Sequence, residues 1–219
     1  MRGGGILHNR KTFALQRINY MKKTFIVLIM VLLSAILLVS CDDNKNTSSK
    51  KISKIGETIE LGKTKAGKAI TWEALDVDTN KKKALLISQD ILEKRVFSSS
   101  SSTADYKDSD IRAYLTSTAS DGFIKTYDLS TTYMIAADLS DVNAGNEDYV
   151  FLFSEAEVTA YFSQEADRVA QYNGTATEWW LRSHKGGEGE VVGDDGVYGQ
   201  SPTNPYERGL RPAFWYTWD

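Results

Sequence analysis

Cysteine and histidine, which ligate zinc and serve as nucleophile and base in many enzymes, are almost missing from this chain. Its 219 residues include one cysteine, Cys41, and two histidines, of which only His184 lies beyond residue 40. A zinc site made of cysteine and histidine needs about four such ligands, so the count excludes one. It also excludes an internal disulfide. We predict that the chain holds no metal and no cofactor.

Catalytic constellations are equally scarce. A serine–histidine–aspartate triad would have to use His184, which stands in the glycine-rich segment 183–187. Because such a loop would not hold an imidazole rigidly, we interpret His184 as a solvated side chain. A glycosidase uses two carboxylates at a fixed separation, and the sequence singles out no pair. We therefore predict that the chain is not an enzyme and keep a hydrolase as the third hypothesis for its function.

Carboxylates are plentiful enough to raise the question of calcium. A Ca²⁺ ion takes about six to eight oxygen ligands, and no segment has the spacing of an EF-hand. Residues 193–196, Gly-Asp-Asp-Gly, are better explained as a hairpin turn. The acidic residues that we place in loops are Asp138, Asp141, Glu147, Asp148, Glu188, Asp194 and Asp195.

Positive charge is scarce in most of the chain. Six of the 26 basic residues and none of the 29 acidic ones lie in residues 1–40, so the remainder carries a net charge of −9. An acidic body argues against nucleic-acid binding. It also gives no electrostatic reason for the body to lie on anionic lipid.

Long apolar runs are absent except for one near the N-terminus. Residues 25–39 carry no charge, follow Lys22 and Lys23, and are succeeded by Ser40 and Cys41. The run is shorter than the ~20 residues of a spanning helix, and the pattern is that of a secretory signal. Residues 38–41 resemble a bacterial lipobox, in which the cysteine is acylated. An ordinary signal peptide or an uncleaved anchor is the alternative.

These features predict an order of segments along the chain. Residues 1–20 precede a complete signal, so we expect Met21 to be the true start. Residues 21–40 form the lipoprotein signal peptide, and the polar residues 41–53 form a flexible tether. Residues 54–219 form a single domain held by packing. A lipid anchor at Cys41 would place the protein in the cell envelope.

Apolar periodicity predicts strands at both ends of the domain and helices between them. Ser109 and its neighbours offer a helix cap, residues 154–157 form a capping box, and Ser163 is predicted to cap the last helix. The predicted strands are 58–61, 69–77, 83–88, 148–153, 178–182, 190–192, 196–198 and 210–216. The predicted helices are 89–95, 110–118, 155–162 and 164–172, with 97–104 a loop and 123–134 helical or irregular. This order predicts an α+β domain whose first and last strands share a sheet.

Tryptophan and arginine are concentrated near the C-terminus. A ligand-stacking platform is one reading, but large aromatic side chains are natural core pieces in a domain without disulfides. We favour a structural role for Trp72, Trp179, Trp180, Arg182, Arg211 and Pro212. Each arginine is expected to bind a carboxylate or loop carbonyls, because an unpaired buried charge is costly. The glycine-rich segment 184–208 is predicted to be a ligand-binding loop, with Tyr198, Asn204, Tyr206 and nearby Trp218 as contacts.

An ordered set of short motifs resembles an uncharacterised family of bacterial cell-surface domains. The motifs are I-x-W, ALLIS, D-I-R-x-Y-L, Y-V-F-L-x-S, W-W-L-R-S and G-[VL]-R-P-A, here at residues 70–72, 84–88, 110–115, 149–154, 179–183 and 209–213. The last two are also similar to the ending of C-type-lectin-like domains, a group that includes formylglycine-generating enzymes. That resemblance implies paired terminal strands and a loop-rich ligand site. The cysteine pair of formylglycine-generating enzymes is missing, which excludes that activity.

Taken together, the sequence predicts an exported bacterial lipoprotein with a C-type-lectin-like α+β domain, a few short helices and long loops. The expected function is non-enzymatic binding of a carbohydrate, peptide or protein at the cell envelope. A structural or assembly lipoprotein without a small ligand is the alternative.

Overall fold

The computed structural model of the chain describes residues 49–100, 104–139 and 147–219. The predicted signal peptide, the attachment site Cys41, most of the predicted tether and Asp141 lie outside these residues. The strands are β1 Thr58–Lys63, β2 Ala69–Asp78, β3 Lys83–Ser88, β4 Glu93–Val96, β5 Met134–Ile135, β6 Ala137–Asp138, β7 Glu147–Asp148, β8 Gln171–Tyr172, β9 Thr175–Ala176, β10 Trp179–Lys185, β11 Glu188–Val192, β12 Tyr198–Ser201, β13 Glu207–Leu210 and β14 Ala213–Thr217. The helices are α1 Asp110–Thr116, α2 Phe123–Thr126, α3 Glu155–Tyr161 and α4 Glu165–Arg168, with 3₁₀ turns at Tyr106–Asp108 and Thr131–Tyr133.

The first sheet contains the beginning and the end of the domain. Its strand order is β1-β2-β3-β14-β5, and all neighbours are antiparallel. β3 lies at the centre, and its last five residues are buried. A continuous apolar run is typical of a strand covered on both faces. The prediction that the first and last strands share a sheet is confirmed, as is the mixed α+β class.

The second sheet has the order β12-β11-β10-β13-β4, with β10 and β13 parallel. β11 and β12 form the hairpin predicted at residues 193–196, where Gly193 N donates to Val197 O at 2.7 Å. Gly196 has φ +84°, and a Cβ there would lie 1.9 Å from Glu165 O. Only glycine tolerates both the positive φ and the lack of space for a Cβ atom at position 196, which confirms the predicted turn.

The predicted strand 210–216 is wrong as one element, because the chain changes sheets in its middle. β13 ends at Leu210 in the second sheet and β14 begins at Ala213 in the first. Pro212 lies between them and has no N–H to continue a ladder. Its carbonyl accepts from Ser88 N at 3.0 Å, which fixes the crossing against β3.

The predicted helix 89–95 is also wrong. Residues 93–96 form β4, which pairs with β13. Ile91 N donates to Gln171 O at 2.9 Å, and Leu92 N donates to Leu210 O at 3.0 Å. The N–H groups of Ile91 and Leu92 therefore bind distant carbonyls and are not available for the hydrogen bonds of a helical turn.

Two other predicted elements are shorter than expected. The segment 148–153 is not a strand beyond β7 and one isolated bridge between Phe151 and Ala213, although Val150 to Phe153 are buried. The last predicted helix is reduced to α4, whose N-cap is Gln164 without a side-chain bond, so Ser163 is not its cap. The chain turns back at β8 because Ala170 O accepts from Thr177 N in a hairpin.

The predicted ligand loop 184–208 is largely a meander of strands. β10, β11, β12 and β13 occupy most of it, and Gly186 and Gly187 have φ of +62° and +87° in a tight turn. Gly186, Gly187, Gly193 and Gly196 therefore serve turns, whereas Gly189 and Gly199 lie within β11 and β12. His184 lies within β10, exposed and opposite Gly189, and not in a loop.

The domain begins earlier than predicted. Ile52, assigned to the tether, is fully buried, and Lys50 O accepts from Tyr216 Oη at 3.0 Å. The burial of Ile52 and the bond from Tyr216 together hold this segment against the first sheet. Across the part of the chain described here, helices are all too short or too polar to span a membrane.

Candidate functional site

The four residues predicted to contact a ligand are not brought together. Tyr198 Oη lies 2.8 Å from Thr159 Oγ1, and Asn204 Nδ2 donates to Ser99 O at 2.7 Å. Tyr206 is 51% exposed, but Trp218 is only 5% exposed. Trp218 packs beside Tyr216 on the first sheet, so it offers no open ring face and is not a ligand contact.

The three tryptophans predicted to have a structural role lie in the core with their indole N–H groups satisfied. Trp72 donates to Leu61 O at 2.9 Å, Trp179 to Arg168 O at 3.1 Å, and Trp180 to Arg95 O at 2.8 Å. All three are 0% exposed. Adjacent Trp179 and Trp180 point to opposite faces of β10, so both faces of the second sheet are covered there.

Both signature arginines are buried and bound. Arg182 donates to Leu152 O at 2.8 Å and to the Glu157 carboxylate. Arg211 donates to Ser88 O at 3.0 Å, and its guanidinium lies 5.2 Å from the ring centre of Trp179. Burial lowers the pKa of Arg211 to about 10, so the side chain remains charged at neutral pH.

One concave feature is a cleft of about 890 Å³ whose walls come mainly from three segments that are distant in the sequence. One wall is the turn between β1 and β2, the second is the connection from β3 into β4, and the third is the tip of the β8–β9 hairpin. The volume lies in the range of about 300–1,000 Å³ that holds small ligands. We name this feature the Glu93 cleft.

Backbone conformation fixes two of these walls, the β8–β9 hairpin and the β1–β2 turn. Asn173 and Gly174, at the tip of the β8–β9 hairpin, have φ of +52° and +79°, as a type I′ turn requires. Gly62 has φ +70°, and a Cβ there would lie 2.5 Å from Tyr127 O. This close approach lets Lys63 N donate to Tyr127 O at 2.7 Å, which holds the β1–β2 turn over Tyr127.

A bound carboxylate lies on the floor of the cleft. Glu93 accepts from Lys65 Nζ at 2.8 Å and from Arg95 Nε at 3.1 Å, with its side chain 12% exposed. Burial alone would raise the pKa of Glu93, but the bond from Lys65 and the charge of Arg95 together lower it. Burial and the Glu93 charge raise the pKa of Tyr114 to about 12 and raise that of Tyr127 further.

This electrostatic arrangement keeps Glu93 ionised, with both carboxylate oxygens bound to cations. A general acid must hold a proton near the working pH, so Glu93 does not suit proton delivery. It does suit fixing the direction of Lys65, whose side chain is 61% exposed. Charges along the walls balance, with three lysines and three carboxylates: Lys65, Lys68, Lys94, Asp90, Glu93 and Glu207.

The remaining lining combines hydrogen-bonding side chains with aromatic surface. Tyr172 is half-buried, and the Lys94 ammonium lies 5.4 Å from its ring centre. Gln89, Asn173 and Thr71 supply amides and a hydroxyl. Such a lining matches a polar, uncharged ligand with some apolar surface.

Sequence reasoning missed this cleft. Its only local signal was Asn173-Gly174, a strong hairpin dipeptide. Lys65, Glu93 and Tyr172 are far apart along the chain, and only the strand pairings bring them to one place.

Two of the carboxylates considered for calcium, Asp148 and Asp195, have other partners. Asp148 binds the Arg112 guanidinium at 2.8 and 2.9 Å, and Asp195 Oδ1 accepts from Val197 N at 3.0 Å. Among residues 49–100, 104–139 and 147–219, no three acidic or histidine side chains converge as a metal site would require.

Comparison with curated proteins found no match, and comparison with solved structures found none either. A family model described as "Domain of unknown function (DUF6273)" matches residues 81–218. The match runs from the start of β3 to Trp218, so it contains two walls of the Glu93 cleft, whereas the β1–β2 turn lies before it. Because the match covers more than half of the sequence, the chain belongs to the DUF6273 family.

Proposed function

We propose that this chain is an exported bacterial lipoprotein whose domain binds a neutral carbohydrate in the Glu93 cleft without chemical turnover. The observation that carries the proposal is the cleft itself: its charges balance, its carboxylate is committed to two cations, and Tyr172 offers aromatic surface beside amide and hydroxyl groups. Sugars present hydroxyls to such groups and an apolar ring face to an aromatic side chain.

The position of the cleft supports display at the cell envelope. Asp219 N donates to Ser49 Oγ at 2.9 Å, and Trp218 N donates to Lys82 O, so the chain enters the domain beside the β2–β3 turn. The cleft is built on the opposite ends of the same two strands. β2 has ten residues, and at about 3.3 Å per residue it separates the two ends by about 30 Å. A domain tethered through Cys41 would present the cleft away from the membrane.

The C-type-lectin-like resemblance belongs to the same proposal. Its support is that the first three strands and the last strand form one sheet. The proposed site differs from the one that the resemblance implies, because it uses the β1–β2 turn and the β8–β9 hairpin instead of a long loop between late strands.

A glycan array with the full chain purified in detergent tests the proposal. We expect binding to neutral glycans, and we expect Lys65→Ala and Tyr172→Ala to weaken it at least tenfold while the thermal midpoint stays within a few degrees. Matched controls are Lys54→Ala, an exposed lysine near the tether, and Tyr149→Ala, a tyrosine that is 40% exposed outside the cleft. Equal loss in the controls, or no bound glycan, would contradict the proposal.

A further inference from the structure

A second cavity lies next to the Glu93 cleft, on the other side of the β8–β9 hairpin. This cavity has a volume of about 310 Å³ and is lined by the second strand of the hairpin, by Asp194 and by Arg208. Two residues, Lys94 and Glu207, line both cavities. The two cavities therefore meet over β4 and β13, and the hairpin stands beside the junction.

The two residues that line both cavities, Lys94 and Glu207, are exposed at the surface, so a ligand lying along this surface can contact both cavities. Arg208 forms an ion pair with Glu178, and its guanidinium lies 5.4 Å from the ring centre of Tyr206. The exposed Tyr206 therefore lies beside a lining residue of the smaller cavity, while the half-buried Tyr172 lines the larger one.

We infer that the groove binds a linear oligosaccharide that crosses Lys94 and Glu207 and occupies both cavities, not a single sugar unit. The larger cavity alone approaches the upper end of the ~300–1,000 Å³ that holds one small ligand, and the groove extends beyond it. The aromatic side chains at either end, with polar groups between them, repeat the chemistry that successive sugar units present. The charges of Lys68 and Asp90 cancel, as do those of Lys94 and Glu207. This balance favours a neutral oligosaccharide over a charged one.

This inference rests on the proposed function, and it is tested by varying the length of the oligosaccharide. Isothermal titration of the full chain in detergent would use cello-oligosaccharides and chito-oligosaccharides of one to six units. We expect the affinity for at least one series to rise tenfold or more between two and five units. Each unit that reaches the second cavity adds contacts without a new loss of overall freedom.

Variants separate the two cavities. Asp194→Asn and Tyr206→Ala are expected to weaken binding of the five-unit chain at least threefold and to leave the two-unit affinity unchanged. Asp121→Asn, at an exposed aspartate that lines neither cavity, is the matched control. Tyr172→Ala is expected to weaken binding of both the two-unit and the five-unit oligosaccharide.

Each outcome decides between the claims. Equal affinity for two and five units would overturn the extended groove and leave the proposed function standing. No binding of either series at any length would contradict both. Binding of an uncharged ten-residue peptide of serine, threonine, asparagine and glutamine, with no oligosaccharide bound, would assign the groove to a polypeptide and overturn the inference.

Discussion

Glu93 is the residue whose charge organises the cleft floor, and its loss is a sharp test of the structure. Glu93→Gln keeps the size of the side chain but removes the charge that Lys65 and Arg95 share. Hydrogen bonds to charged groups contribute about 1.5–3 kcal/mol each, so we expect unfolding to become easier by about 1–3 kcal/mol. Urea denaturation measures it. Glu60→Gln, on the exposed side of β1, should change stability by less than about 0.5 kcal/mol.

The same residue predicts a pH dependence. The folded-state pKa of Glu93 lies below its ordinary value of 4.5, so its ionised form stabilises the fold above pH 4.5. That contribution is lost as the pH falls through the lower, folded-state pKa. Glu190 acts in the opposite sense, because burial and the nearby Glu155 raise its pKa.

Wild type and the Glu93→Gln variant share Glu190 and the other titratable groups. The contributions of those groups therefore cancel in the difference between the two free energies of unfolding. We expect this difference to be constant from pH 7 to pH 5 and to shrink below about pH 4.5. Urea titrations at intervals of half a pH unit would measure it. A difference that grows on acidification would show that Glu93 is not held as an anion.

Arg211 illustrates a buried cation held by carbonyls and rings. Arg211→Met retains much of the packing against Trp179 and Phe162 but leaves Ser88 O and Arg168 O without this donor. An unsatisfied buried acceptor costs about 1–3 kcal/mol, and we expect that loss in the free energy of unfolding. Lys63→Met, at an exposed position, serves as the control for removing a positive charge. Equal stability of the two variants would contradict the assigned role.

At the scale of elements, two serines beside the α3–α4 region make a matched pair. Ser154 Oγ accepts from Glu157 N at 3.2 Å in a complete capping box, whereas Ser163 is exposed and caps nothing. Losing a serine cap costs about 0.5–2 kcal/mol. We therefore expect Ser154→Ala to lower the free energy of unfolding by about 1 kcal/mol and Ser163→Ala to leave it unchanged. Thermal denaturation of both variants would check this, and equal effects would refute it.

Elements with local signals were predictable, and elements defined by distant partners were not. The capping box at Ser154, the cap at Ser109 and the turn at residues 193–196 carry their own hydrogen-bonding groups. The sequence predicts a helix over residues 89–95 because its adjacent apolar residues, Ile91 and Leu92, fit either period, and only the pairing of β4 with β13 decides against it. The cleft depends wholly on such pairings, so it could not be read from local sequence.

At the scale of the whole molecule, anchoring and folding should be separable. The only cysteine, Cys41, lies outside the described residues 49–100, 104–139 and 147–219, so the core that these residues form contains no thiol. We expect Cys41→Ser to move the protein from the membrane fraction to the soluble fraction of cells. The thermal midpoint, followed by tryptophan fluorescence, should change by less than about 1 °C with this substitution or with added reductant. Membrane retention of Cys41→Ser would contradict the lipid anchor.

The hydrogen bond between Asp219 N and Ser49 Oγ has a further consequence for the architecture. Because Ser49 and Asp219 are in contact, the two ends of the domain could be joined without moving any strand. A short glycine linker could join residue 219 to residue 49, and new termini could open at Gly186 and Gly187, where added side-chain atoms would meet open space. Such a circularly permuted domain would keep every strand pairing except the turn that was cut.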